Sequence, residues 1–115
     1  METKRLELHE VLCEIINITE PNGDRHVYFQ PPESVKMKYP AIRYSLDDID
    51  IKHANDRLYL KTPGYSIVLI DRKPNSEYVS KILEIPYCRF VDSYSADNLN
   101  HFVFHIYNNN YVIGF

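Results

Sequence analysis

The sequence is poor in the residues that form disulfide bonds and phosphate-binding loops. Its 115 residues include no tryptophan, three glycines and two cysteines. Cys13 and Cys88 are too few for a disulfide scaffold, and a lone thiol in either place is typical of a core residue. So few glycines cannot form a glycine-rich loop around a phosphate group. We therefore expect neither a disulfide-stapled fold nor a bound cofactor.

Long apolar runs and an excess of positive charge are also missing. No stretch approaches the ~18 apolar residues of a membrane span, and Glu7, Glu10 and Glu14 interrupt the N-terminal segment where a signal peptide would be apolar. The net charge is −3 and the isoelectric point about 5.9, which argues against binding nucleic acid by neutralising phosphates. We expect a chain made in the cytoplasm, with no membrane contact.

Hydrophobic residues make up 44% of the chain, enough for the core of one domain over residues 1–115. Near the N-terminus, apolar residues recur at helical spacing, with Thr3 as a candidate N-cap and Cys13 at the margin of the stripe. This pattern predicts a helix over about Lys4–Asn17. The stripe consists of Leu8, Val11, Leu12, Ile15 and Ile16.

Alternating apolar residues predict a sheet after this helix. The segment 64–70 is apolar on both faces and is the expected central strand. A change of parity between Leu46 and Ile49 predicts a bulge or bend at Asp47-Asp48. The other predicted elements are strands at 26–30, 41–46, 49–53, 88–94 and 102–107, a short helix over about 79–85, a turn at 96–100 and an extra strand at 111–115. The predicted fold is α+β, a single domain with a mixed or antiparallel sheet of about five strands and both helices packed on it.

No group of residues predicts an active site or a metal site. His101 and His105 share strand parity, but their spacing to His53 or to an aspartate matches no zinc pattern. The acidic residues Asp47, Asp48, Asp50 and Asp71 match no calcium loop and are typical of a solvated edge. We therefore expect no catalytic, cofactor-binding or metal-binding residues, and a protein that is not an enzyme. The rival hypothesis is a small hydrolase built around Asp47, Asp48, Asp50 and His101.

Several short runs between Tyr39 and Tyr107 form a more distinctive pattern. The most specific are Ile70-Asp71-Arg72-x-Pro74-x-Ser76-Glu77 and Asp97-Asn98-Leu99-Asn100-His101. The remaining runs are Tyr39 to Tyr44, Asp47 to Asp50, Ala54-Asn55-Asp56, Tyr65, Leu83, Pro86 to Phe90, and Phe104. Together they resemble a family of small neck proteins of tailed bacteriophages, the tail terminators, tail completion proteins and head–tail joining proteins.

The resemblance implies a structural protein of the virion neck, assembled in the host cytoplasm. Tail terminators form a ring, commonly a hexamer, that caps the tail tube, stops its polymerisation and presents the surface where the head docks. The implied partners are other copies of the chain, the tail tube protein and a head-completion or connector protein, with DNA only as cargo through the lumen. The alternatives are a stopper-type head-completion protein, a small intracellular enzyme, or a module that binds a host protein.

Three segments are the expected interface residues. Asp47, Asp48 and Asp50 are placed at a bend near the ring edge or the lumen. Asp71 and Arg72 are placed in a loop facing a neighbour, with Asn75 or Ser76 capping the following helix. The last segment is Asp97, Asn98, Leu99 and Asn100, a polar turn with Leu99 as an apolar anchor at its tip.

Overall fold

A computed structural model describes residues 2–32, 36–54, 58–107 and 111–113. Within these ranges the chain forms two helices and six strands. They are α1 (Glu2–Ile15), β1 (Val27–Phe29), β2 (Ala41–Ala54), β3 (Leu58–Asp71), α2 (Tyr78–Leu83), β4 (Cys88–Ala96), β5 (Leu99–Tyr107) and β6 (Tyr111–Ile113). None of the helices among the described residues has the length and apolar content to cross a membrane.

The strands form one mixed sheet in the order β1-β2-β3-β5-β4, with β6 pairing with the first part of β3. β1 runs parallel to β2, and every other pair is antiparallel. The α+β prediction is confirmed, as is the central position of β3. β3 has neighbouring strands on both sides, and apolar residues on both of its faces are buried. These residues are Tyr65, Ile67, Val68, Leu69 and Ile70.

Both helices pack on one face of the sheet. Leu8, Leu12 and Ile16 of the α1 region and Ile82 of α2 belong to the same apolar cluster as alternate residues of β2, β3 and β5. Those alternate residues are Ile42, Tyr44, Tyr65, Ile67, Leu69, Phe104 and Ile106. The opposite face carries no helix among the described residues. The fold therefore leaves one sheet face available for polar groups.

The helix predictions needed small corrections. α1 begins at Glu2, so Thr3 lies within the helix and is not its N-cap. Val11, predicted as part of the buried stripe, is 41% exposed, because the buried positions are Leu8, Leu12 and Ile16. Cys13 is buried, consistent with a small core residue.

The start of α2 and the last hairpin also differ from the prediction. Glu77 occupies the N-cap position of α2, whereas Ser76 lies one residue earlier and its hydroxyl accepts the Tyr78 N–H at 3.4 Å. The predicted five-residue turn at 96–100 is a two-residue turn at Asp97-Asn98, with φ of 54° and 62°. Two consecutive turn residues with positive φ give the turn a twist that matches the flanking strands, so the two strands stay paired up to the turn itself. The predicted strand 111–115 is observed over Tyr111–Ile113, and residues 114 and 115 lie outside the described ranges.

Candidate functional site

The most unusual polar cluster lies on the helix-free face, where β2, β3 and β5 run side by side. The predicted bulge is present: the β2–β3 register shifts between Leu46 and Asp48. Asp47 and Asp48 consequently both approach His105 of β5. Nε2 of His105 lies 3.4 Å from Oδ2 of Asp47 and 3.5 Å from Oδ1 of Asp48. The bulge thus brings two carboxylates to one imidazole.

His105 is buried, unlike the two carboxylates. Its side chain is only 8% exposed, whereas those of Asp47 and Asp48 are about half exposed. The N···O separations exceed the ~2.7–3.2 Å of an ordinary N–H···O hydrogen bond. Nδ1 of the ring is buried without a hydrogen-bond partner. A buried polar ring without good partners is rare, because each unsatisfied group costs about 1–3 kcal/mol.

Gly64 of β3 makes room for this cluster. It pairs with Asp48 on one side and with Tyr107 on the other. A Cβ atom on Gly64 would overlap Oδ1 of Asp48 and lie 2.9 Å from Nε2 of His105. Any other residue at this position would therefore push the carboxylate or the imidazole away.

Tyr107 completes the polar surroundings of Asp48. Its hydroxyl donates to Oδ2 of Asp48 at 3.2 Å, and this hydrogen bond to the carboxylate raises the pKa of Tyr107. The Tyr107 ring also packs edge-on against the His105 ring, with 4.7 Å between centroids. Asp48 is therefore held in place through one oxygen while the other faces the imidazole.

A second feature is the open edge of the sheet at β4. Among the described residues β4 pairs only with β5, and all of its residues after Cys88 are exposed. Three of them are large and hydrophobic: Phe90, Val91 and Tyr94. The β4–β5 register shifts between Phe90 and Asp92, so Val91 lies at a bulge. An exposed apolar edge strand is a surface that other chains can pair with, and a bulge limits that pairing.

The distal half of β2 forms another open edge. β1 pairs with β2 only over Ile42–Tyr44, and on that side no other strand of the described residues continues the sheet. Leu46 and Ile49 are exposed there, beside the three predicted acidic residues of this segment. The sheet thus has two open edges of different composition, separated by β3 and β5.

The predicted interface residues Asp71 and Arg72 differ in exposure. Asp71 is buried, and its Oδ1 accepts the Lys73 N–H at 3.2 Å, so this side chain stabilises the loop it belongs to. Arg72 is exposed, but its carbonyl oxygen accepts from Nδ2 of Asn100 at 3.2 Å. Asn100 also accepts from the Ser95 hydroxyl at 3.2 Å and so links β4, β5 and the loop.

Leu99 does not lie at the tip of the turn. It is half-buried at the start of β5 and pairs with Ala96, because the tight turn takes only Asp97 and Asn98. The prediction of Leu99 as a protruding anchor is therefore wrong in its geometry. The exposed apolar residues of this hairpin are instead on β4.

The residues of the rival hydrolase hypothesis do not come together as proposed. His101 stacks on Tyr94, with 4.6 Å between ring centroids, whereas His105, on the same face, lies beside Asp47 and Asp48. Cys88 is half-buried, and burial raises the pKa of its thiol to about 11, which keeps it protonated at neutral pH. The parity of β5 suggested the right face, but only the register of three strands shows which histidine meets the carboxylates.

Comparison with protein-family models, with curated proteins and with solved structures finds no match to this chain. Of the short runs between Tyr39 and Tyr107, Asn55 and Asp56 lie outside the described residues.

Proposed function

We propose that the chain is a structural protein of a tailed-phage neck that assembles head to tail into a ring, as a tail terminator does. The observation that carries the proposal is the pair of open sheet edges, one on β4 and one on the distal half of β2. Both edges carry exposed apolar residues, and the two are not alike.

A ring requires two different surfaces on each protomer. Contacts between unlike surfaces repeat by rotation and close a ring, whereas contacts between two copies of one surface stop at a dimer. On this chain, the β4 edge presents Phe90, Val91 and Tyr94, and the β2 edge presents Leu46 and Ile49 beside aspartates. We infer that the β4 edge of one copy packs against the β2 edge of the next.

The resemblance of the motif runs supplies the virion context of this ring. It supports a cap on the tail tube, contacts with the tube protein and a head-completion protein, and DNA passing through the lumen. The predicted acidic interface residues Asp47, Asp48 and Asp50 lie on the β2 edge, where this packing would place them at or near the subunit junction.

The test is the oligomeric state of the purified chain, measured by light scattering after size exclusion and by negative-stain microscopy. We expect a ring, most simply a hexamer. Val91→Lys on β4 and Ile49→Lys on β2 should each prevent its assembly. Leu6→Lys on α1 is the matched control, because Leu6 is 49% exposed against 48% for Val91, and it should leave the ring intact.

Mixing the two edge variants distinguishes a ring from a dimer of like surfaces. Each variant keeps one intact edge, so a mixture of Val91→Lys and Ile49→Lys should form a heterodimer and nothing larger. A wild-type monomer at all concentrations would contradict the ring. A dimer that Ile49→Lys leaves unaffected would also contradict the ring, because the β2 edge would then take no part in assembly. Rings that fail to limit tube length when added to a polymerising tail tube protein from the same phage would keep the assembly but reject the terminator role.

A further inference from the structure

The spacing around His105 fits a metal ion better than it fits hydrogen bonds. Four ligands arranged tetrahedrally at ~2.1 Å from a metal lie ~3.4 Å from one another. The two measured separations from Nε2 of His105 are 3.4 Å to Asp47 and 3.5 Å to Asp48. The three ligand atoms all lie within 4.8 Å of one another. Two of the three separations therefore match the edges of a tetrahedral site, and the third is no longer than 4.8 Å.

The donor types narrow the choice of ion. Ca²⁺ and Mg²⁺ bind oxygen ligands and rarely take an imidazole, whereas zinc accepts both imidazole nitrogen and carboxylate oxygen. We propose that Asp47, Asp48 and His105 bind one zinc ion. The fourth position is left to water, because both carboxylates are half exposed to solvent while the imidazole is nine-tenths buried.

Two further observations support this site. The His105 side chain is only 8% exposed, and its Nε2 faces the two carboxylates at distances too long for good hydrogen bonds, so protein contacts alone do not satisfy this nitrogen. Gly64 lets the Asp48 carboxylate approach His105, because a Cβ atom at this position would take the place of Oδ1 of Asp48. The sequence alone predicts no ion here, because the local spacing of the aspartates does not reveal that a buried imidazole faces them across β3.

The competing occupant of the cluster is a proton. A protonated His105 would form an ion pair with the two carboxylates and need no metal. The two cases differ in one respect that can be measured: a zinc site takes up one equivalent of zinc, and a protonated cluster takes up none. The proposal does not depend on ring assembly, and the test gives a separate result on a chain that fails to form rings.

The experiment is a titration of the tag-free, chelator-treated full chain with zinc chloride, followed by calorimetry, and with cobalt chloride, followed by absorption. We expect one ion per chain, a higher melting temperature with zinc, and a cobalt spectrum of tetrahedral type without thiolate bands. Asp47→Asn and Asp48→Asn change exposed side chains and should each reduce zinc affinity by at least tenfold. Asp50→Asn is the matched control on the same strand and should bind as the wild type does.

Each outcome decides the proposal. Loss of the single high-affinity site in both cluster variants, with the site retained in Asp50→Asn, supports it. Absence of stoichiometric zinc binding would show that the cluster holds no zinc ion. Binding that survives both cluster variants, that Asp50→Asn weakens equally, or that gives cobalt–thiolate bands would place the ion elsewhere. Either absence of binding or binding elsewhere overturns the assignment.

Discussion

Gly64 of β3 lies directly opposite Asp48 of β2, and the missing side chain of Gly64 leaves the space that the Asp48 carboxylate occupies. The backbone of Gly64 is not in the left-handed region, where glycine is favoured for its conformation. Glycine is required here for space, and the consequence can be tested by filling that space.

Gly64→Ala should destabilise the fold by about 1 kcal/mol, the low end of the cost of overpacking, because the half-exposed Asp48 side chain can move aside whereas the buried His105 ring cannot easily do so. Chemical denaturation measures this difference. Asp48→Ala shortens the side chain that the new Cβ would meet, so the double variant Asp48→Ala/Gly64→Ala should recover part of the loss. A Gly64→Ala variant as stable as the wild type, or one that Asp48→Ala does not rescue, would contradict the crowding argument.

The Glu20 carboxylate joins two loop segments through His26 and Lys38. It accepts from Nε2 of His26 and from Nζ of Lys38, both at 2.9 Å, while Nδ1 of the buried His26 is 2.8 Å from the Pro40 carbonyl oxygen. These hydrogen bonds, first that of Lys38 and then that of His26, lower the pKa of Glu20 below its ordinary value of 4.5. The carboxylate therefore stays ionised in the folded chain at pH values where it is protonated in the unfolded chain.

Glu20→Gln should lower stability at neutral pH because it removes a charged acceptor from a buried imidazole. The sign of the pH dependence follows from the lowered pKa. The contribution of Glu20 is fully present above pH 4.5 and is lost as the pH falls through the pKa of the folded state. Denaturation of wild type and variant across this range should show their difference shrinking with acid. A difference independent of pH would mean that the ionised carboxylate is not what stabilises His26.

Much of the fold could be predicted because its signals are local. The period of the apolar residues indicates α1, and apolar residues on both faces mark β3 as central. The break in parity between Leu46 and Ile49 predicts the bulge that the β2–β3 register shows. Each of these signals lies within about ten neighbouring residues, so no knowledge of tertiary structure is needed to recognise it.

The candidate site could not be predicted in the same way because it depends on long-range register. Asp48 and His105 are far apart in sequence and meet only because Gly64 pairs with β2 on one side and β5 on the other. A slip of one residue would move one partner to the opposite face: the carboxylate if β2 slipped, the imidazole if β5 slipped. The misplacement of Leu99 has a local cause: the turn is two residues long, and a polar run of five conceals where it begins and ends.

After Glu20, His9 is a second residue that should make the stability of the fold depend on pH, here through the packing of α1. Its Nδ1 lies 2.7 Å from the hydroxyl of the buried Tyr44, which also accepts from Arg5 at 3.2 Å. Partial burial, and then the charge of Arg5, lower the pKa of His9 below 6.5. The unfolded chain therefore takes up this proton first as the pH falls, so stability decreases from pH 6.5 downward until the folded-state pKa is reached.

His9→Gln should remove this decrease while keeping a hydrogen-bonding group beside Tyr44. We expect the wild type to lose more stability than the variant between about pH 7.5 and about pH 5.5, as measured by urea denaturation. Equal losses in the two proteins would show that another group carries the pH dependence.

The two-residue turn between β4 and β5 determines the position of the open β4 edge. Asp97 and Asn98 both have positive φ, a conformation that costs most residues other than glycine, asparagine and aspartate about 1–2 kcal/mol.

Asn98→Gly should therefore be neutral or stabilising, whereas Asn98→Val should lose about 1–2 kcal/mol in thermal or chemical denaturation. Asn17→Val, at an exposed position without positive φ, is the matched control and should change stability by less than about 0.5 kcal/mol. Because Asn98 lies in the turn that joins β5 to the strand carrying Phe90 and Val91, Asn98→Val should also weaken ring assembly to the extent that it destabilises this hairpin. If Asn98→Val were as stable as Asn98→Gly, the turn would not have the left-handed geometry that ends β4 at Ala96.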